Sequence, residues 1–436
     1  MLMLSDHIVL PRCTAPVFLS IILAAIGSLR AQEPIVPPAK NGAAEEAKVE
    51  VKKLTVGECI RISLEKQPRL AALQASIGSA QASQRGVSNA PFVVRLTGDH
   101  KIRKEQACTG VHAAEVELEQ ARHDVTQAVV WTYYSVVYAR EQVKVAKDAI
   151  DFVDFYRDQV ETIVKGKDGG NREINQITLN RLVARLAGGQ ALHIKAQAGY
   201  ERARAALREA MGVDPAFTFE PADEILPDFA KIELKKDDVI GHALSRRGEI
   251  VMASLFSDVA TLEAYAQWSI RIRYRAETFA SGADIHSRVL PYGSKDGSYR
   301  PDSLGPEMPV QMVGSRTDRS EKAWQLVARS QAVTEKTKNL VTLEAESAWN
   351  EFHFAGLAME ASKRQADAGA RNLSLLKEVA GDKVSTAATL QQLLEAQEEA
   401  AKGQATYNES VYSRISALAN IERITAGGFT IKYPGR

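Results

Sequence analysis

Proline limits most severely where a chain can be helical, because it removes an amide donor and clashes with the preceding turn, at about 3 kcal/mol in a helix interior. The chain has 15 prolines in 436 residues, and they leave two stretches of nearly equal length untouched, 92–214 and 310–433. Long helices are permitted in those two gaps. Each gap is preceded by a region richer in turn residues, so the map predicts one architecture performed twice.

Within the first gap, no glycine or proline occurs between Val111 and Lys165. There Leu118, Ala121, Val125, Ala128, Thr132, Val136, Ala139, Val143, Ala146, Ile150 and Val153 recur in steps of three and four, and Val160 and Val164 extend the stripe beyond Arg157. That is a coiled-coil seam with small residues mixed in, suited to close packing. At about 1.5 Å per residue such a helix is roughly 80 Å long, more than an ordinary globular domain needs. The glycine-rich stretch 165–171 turns the chain, and 173–212 supplies a returning helix. In the second gap 320–379, a break at Gly381 and 384–426 repeat the plan, with Gly356 and Gly369 as local weak points.

The duplication is visible residue by residue. Leu54, Ile60, Leu64 and Leu70 recur as Leu234, Ile240, Leu244 and Ile250, each at an offset of 180. Glu58 and Lys66 are answered by Asp238 and Arg246. Thr55 and Glu58 have capping-box spacing, which satisfies free backbone donors at a helix start. Further on, Tyr133, Val136 and Ala139 align with Trp349, Phe352 and Ala355 at an offset of 216, so the second copy carries an insertion of 36 residues between its first helix and its long helix.

That insertion differs in kind. Trp268, Ile270, Ile272, Tyr274 and Ala276 alternate with Ser269, Arg271, Arg273, Arg275 and Glu277. Period-two alternation puts one apolar and one charged face on a strand, and about 9–11 such residues cross a bilayer in a barrel wall. A half-buried soluble strand, or helix continuing from Tyr265, are the plainer alternatives. A turn-rich loop follows over 281–309, and 310–313 is placed to begin a return strand. The matching region of the first copy, 91–104, is thin, with Phe92, Val94 and Leu96 on one face.

The N-terminus reads as an export signal. Arg12 precedes an apolar run over 15–27, the size of a signal core and too short to span a bilayer, with cleavage after Gly27 or Ala31. The division that follows is signal 1–31, flexible leader 32–53, first helical repeat 54–214, linker 215–233, second repeat 234–429 and tail 430–436. Three dispersed cysteines define neither a disulfide framework nor a zinc site, and a formal net charge of +1 gives no sign of a nucleic-acid partner. The sequence Gly166-Lys167-Asp168-Gly169-Gly170 lacks phosphate-loop spacing, His112 and His123 read as surface positions, and no motif places a catalytic set, a metal site or a cofactor.

In LTVGECIRISLEKQPRLAAL, WTYYSVVYAREQVKVA and YERARAALREAMGVD of the first copy, and in LLEAQ (393–397) and YNESVYSRISALANIERITAGGF of the second, the chain resembles the TolC-like family of outer-membrane efflux proteins. The resemblance runs from about Leu54 to Phe429. It implies a mainly α fold of duplicated long antiparallel coiled-coil hairpins, with short β segments contributing to a trimeric outer-membrane barrel. It implies a passive exit channel that works with a periplasmic adaptor and an inner-membrane transporter, and no catalytic activity. On that basis the helix-turn tips Gly166, Asp168, Glu173, Gly381 and Asp382 are expected at the adaptor contact and entrance, with a solvated loop as the plain alternative. Trp268, Ile270, Ile272 and Tyr274 are expected in a barrel strand. An extracytoplasmic coiled-coil structural or binding protein of the same fold that no longer conducts is the competing reading.

Overall fold

Thr55 opens the first helix as its sequence spacing predicts. Its hydroxyl accepts from the Glu58 amide at 3.3 Å, and the Glu58 carboxylate accepts from the Thr55 amide at 2.9 Å. The computed structural model describes residues 52–166, 174–229, 232–270, 312, 314–380 and 386–433, and the backbone at 290–291 and 298–299. The signal segment and most of the leader lie outside these residues. Lys52 and Lys53, read as the end of the leader, belong instead to a strand.

In chain order the elements are β1 (Lys52–Leu54), α1 (Val56–Lys66), α2 (Pro68–Ser88), α3 (Phe92–Arg95), α4 (His100–Lys165), α5 (Gln176–Met211), β2 (Phe219–Pro221), α6 (Lys236–Arg246), α7 (Gly248–Ser269), β3 (Leu290–Pro291), β4 (Ser298–Tyr299), α8 (Arg316–Ala380) and α9 (Ala387–Ile424). The two copies match: α1 and α6 have 11 residues each, α4 and α8 have 66 and 65, and α5 and α9 have 36 and 38. The break between α1 and α2 falls at Gln67, because Pro68 cannot continue a helix but can start one. In the second copy the break falls at Arg247, 180 residues on.

One hydrogen bond recurs across the duplication. The Tyr133 hydroxyl of α4 donates to the Leu54 carbonyl at 3.2 Å, and the Trp349 indole of α8 donates to the Leu234 carbonyl at 2.8 Å. Each pair is one that the sequence offsets align.

Helix α4 packs on α1, α2 and α7 over one part of its length and on α5 and α9 over the rest, while α8 packs on α6, α7 and α9. Every residue of the predicted α4 seam is buried or partly buried. The main core gathers where α1, α4, α6, α8 and α9 meet, around Val129, Val130, Tyr133, Tyr134, Leu418 and Ile421. Strands β1 and β2 pair in parallel there, with Leu54 opposite Pro221, and β3 pairs antiparallel with β4. Residues after Phe429, read as a tail, join this core: Tyr433 is buried against Phe229 and Tyr134.

The first copy has no strand where 91–104 offered one. Residues 92–95 form a helical turn and α4 begins at His100. Physically, the few residues between Ser88 and His100 cannot cross a bilayer and return, since each crossing takes about 9–11 residues. Gly356 and Gly369 are not weak points. A Cβ at Gly356 would meet the Arg414 guanidinium, which fills that space while stacking on Phe352 and donating to the Phe229 and Ile232 carbonyls of the linker. Gly369 and Gly403 let the α8 and α9 backbones approach: a Cβ on either would sit 3.1 Å from backbone of the facing helix.

Gly212 ends α5 in the left-handed conformation at φ 65°, and a Cβ there would sit 2.8 Å from the Gln67 Cα. Gln67 in turn caps α5 by donating to the Glu209 and Ala210 carbonyls. Gly212→Ala is therefore expected to destabilise the fold by roughly 2 kcal/mol or more, whereas Gly78→Ala, in open space within α2, is expected to stabilise it by about 0.5–1 kcal/mol. Urea melts followed by helical circular dichroism read both signs.

Candidate functional site

Three regions of the helical body are built for more than packing. The first is the distal end of the hairpins. Asn175 caps α5 by accepting from the Ile177 and Thr178 amides, and Thr386 caps α9 by accepting from the Thr389 amide. Between the caps, Tyr156 and Val160 of α4, Ile174, Leu179 and Leu182 at the start of α5, and Leu390, Leu393 and Leu394 of α9 form one cluster. The ends of the two hairpins are thus held together by buried apolar contact. Of the tip residues expected from sequence, Gly166 closes α4 in an extended conformation. Asp168, Glu173, Gly381 and Asp382 lie outside the described residues.

The second is a groove of about 490 Å³ between α4, α5 and α9. Val145, Ile150, Val153 and Leu192 give it apolar walls, and Arg185 and the Lys402–Glu398 pair (2.7 Å) give it a charged rim. The Lys402 ammonium, by hydrogen bond and charge, holds the Glu398 carboxyl below the usual range.

The third is the opposite end, where the chain leaves α7 and re-enters at α8. Trp268 lies inside α7, so no strand begins there, and Ile270 follows in extended conformation; Ile272 and Tyr274 lie outside the described residues. The physical reason is continuity: Ala264, Ala266 and Gln267 stay buried on the helical face that packs α4 and α8. Met312, expected in a return strand, is buried against Phe256, Val259 and Val327.

A buried ionic chain joins the copies at this end. Arg103 donates from Nε to Asp99 Oδ2 at 3.1 Å, from Nη1 to Gln106 Oε1 at 2.8 Å, and through both terminal nitrogens to Glu263. Gln267 donates to Glu263 at 2.6 Å and accepts from Arg319 at 3.1 Å, and Arg319 donates onward to the Gly314 carbonyl. Asp99 is fully buried, and its Oδ1 has no hydrogen-bond partner among the described residues. The adjoining turn presses on the end of α7 so tightly that a Cβ at Gly98 would overlap the Ser269 carbonyl.

A related set stands at the other end of α7. Fully buried Arg247 pairs with Glu249 at 2.7 Å and Glu344 at 2.6 Å, Arg423 pairs with Glu344 at 2.7 Å, and Asp124 receives Arg69 at 3.3 Å. Sequence reading missed both sets. The available signal was in α7, where Glu263 and Gln267 continue the three- and four-residue spacing of Phe256, Val259 and Ala260, placing polar groups on an apolar face.

Burial alone would raise the Glu263 carboxyl, but hydrogen bonds and charge from Arg103, with help from Gln267 and Gln106, hold it below its ordinary 4.5. Its contribution to stability is therefore complete above pH 4.5 and is lost as the pH falls through the lowered native value. Glu263→Gln is expected to flatten that part of an acid-unfolding curve. Arg103→Met, which strands a buried carboxylate, is expected to cost about 3–5 kcal/mol, most of it recovered in Arg103→Met/Glu263→Met. Urea melts of the three variants between pH 3 and pH 7 (about those limits) check both outcomes.

No protein-family model and no curated protein matches the chain. Solved structures do. The MtrE outer-membrane channel of Neisseria gonorrhoeae aligns with a TM-score of 0.64 at 16% identity, over 86% of this chain and 89% of that one. The CmeC outer-membrane channel of Campylobacter jejuni aligns with a TM-score of 0.64 at 16% identity, over 92% and 94%. The outer-membrane protein VceC of Vibrio cholerae aligns with a TM-score of 0.62 at 13% identity, over 86% and 97%. The match extends over nearly the whole of each of those chains, so this chain has the fold of the TolC-like outer-membrane channel proteins.

Proposed function

We propose that the chain is a passive outer-membrane exit conduit, built from three copies and fed by a periplasmic adaptor and an inner-membrane transporter. One observation carries this reading. The distal helices form a wall in the order α5, α4, α9, α8, with α5 and α8 as its two outer helices. Both present apolar residues to the outside: Val183 and Ile194 on α5, and Phe354, Leu357, Leu375 and Val379 on α8. Two different apolar edges on one wall suit a head-to-tail contact between copies, and such contacts close into rings when the rotation is right. A closed ring of these walls encloses a tunnel with no chemistry required of its lining.

In this reading the helical body is periplasmic. Gly166, Asp168, Glu173, Gly381 and Asp382 then face the adaptor and the entrance, and Ile270, Ile272 and Tyr274 start the membrane strand of the second copy. Energy for transport comes from the partner transporter, so no catalytic role falls to this chain. The helical turn at 92–95, standing where a short strand region was expected, favours one second reading: a TolC-like wall that assembles without conducting.

Ile194→Glu and Val379→Glu place a charge on each edge without touching the core. Both are expected to keep the helicity and melting of the monomer while reducing the trimer fraction at least about tenfold, as for a charge forced into an apolar interface. Native mass spectrometry in detergent and planar-bilayer conductance are the readouts. A wild-type trimer without conductance supports the second reading, and a wild-type monomer removes both.

A further inference from the structure

The turn between α2 and α4 presents its apolar side chains outward. Phe92, Val93 and Leu96 are 73%, 72% and 65% exposed. The turn is ordered, not frayed: Leu96 donates its amide to the Phe92 carbonyl, Thr97 Oγ1 donates to the Val94 carbonyl at 2.6 Å, and Arg95 folds back onto the Ala90 carbonyl at 2.7 Å. Below it, Gly98 is locked against Ser269 and Asp99 is buried in the ionic chain. Three large apolar groups are therefore held in fixed positions on a short loop, where hydration favours polar residues.

The same end carries half-exposed aromatics. Tyr265 meets Trp324 edge to face, and Arg316 lies over the Trp268 ring at 4.2 Å. Charge around the turn is one-sided: between Arg85 and Lys104, outside the buried Arg103–Asp99 pair, there are four lysines and arginines, Arg85, Arg95, Lys101 and Lys104, and no acid. Apolar tips, amphipathic rings and basic flanks at one level are what the headgroup boundary of an anionic bilayer accommodates.

Resting on the membrane location in the proposed function, we infer that the 92–96 turn seats in the headgroup region of a lipid bilayer. It holds the first copy on the membrane surface without crossing it. A crossing pair is excluded by length, as argued above, and the occupant that matches the basic flanks is anionic lipid. A second copy, or another segment of this chain, would bury the apolar tips but leave the positive charge unanswered.

Site-directed spin labelling of the full chain tests this. Nitroxides go at Phe92→Cys, Val93→Cys and Leu96→Cys, with Thr162→Cys, exposed near the distal end of the inner helix α4, as a water-exposed control and Cys13 and Cys108 replaced by serine. Cys59 is buried, its thiol pushed up to about 12 mainly by burial, and does not label. On adding vesicles of phosphatidylethanolamine and phosphatidylglycerol, collisions with oxygen are expected to rise and collisions with a nickel chelate to fall at the three turn positions only. Phe92→Ser/Val93→Ser/Leu96→Ser is expected to weaken vesicle binding about tenfold or more while the monomer melts as before.

The inference is overturned if the turn labels stay as water-accessible as position 162 in vesicle-bound protein. It is equally overturned if oxygen and nickel collisions are both low before lipid is added, which means protein covers the turn. Conductance with an unshielded turn would leave the conduit reading standing and remove this one. A lipid-shielded turn without conductance would do the reverse.

Discussion

Everything in this structure hangs on the seam of α4. Over its distal part a stripe at three- and four-residue steps suffices, because α4 packs mainly against α5 and α9 there. Near its middle, the run from Val129 to Val137 is apolar almost all round, and there the helix is enclosed by the main core. Each large side chain buried on that stretch is worth about 1.5–3 kcal/mol, which is the scale needed to hold a helix far longer than its neighbours' cores. Tyr133 and Tyr134 pack edge to face at 5.1 Å, so the bulkiest residues fall where the most helices converge.

The long helices, their turns and the twofold plan were legible because each is set by local rules. Proline excludes helix, Thr55 and Glu58 cap one, and small residues at Ala121, Ala139 and Ala146 recur with the coiled-coil step. What was not legible depends on partners distant in sequence. Trp268 and Ser269 alternate with their neighbours as a strand would, yet contact with α4 and α8 keeps them helical. Phe92 and Leu96 share a face in either conformation, so only the length of the connection decides for a helical turn. Gly356 reads as a weak helix position until Arg414, 58 residues on, is found occupying the space a side chain would take.

The two ionic sets make sense together. Helix α7 carries only Glu249, Asp258 and Glu263 as charges, and two of these are buried at its opposite ends. Burying ions does little for net stability, because desolvation offsets most of the attraction. What it does provide is register. An apolar helix lying between α4 and α8 can slide by a turn at small cost, but not if Arg247 and Arg103 would each lose a carboxylate. The pairs at both ends fix α7 lengthwise, and with it the level at which the chain departs toward residue 271.

The paired hydrogen bonds to Leu54 and Leu234 carry a wider lesson. The duplicated halves send a donor to the same carbonyl beside a helix start, with a phenol in one and an indole in the other. What persists is the position of a polar hydrogen, not the identity of the residue that supplies it. Solved channels align along most of this chain's length at identities between 13% and 18%. A fold held by where a few polar hydrogens sit, rather than by which residues carry them, has room for that much difference in its letters.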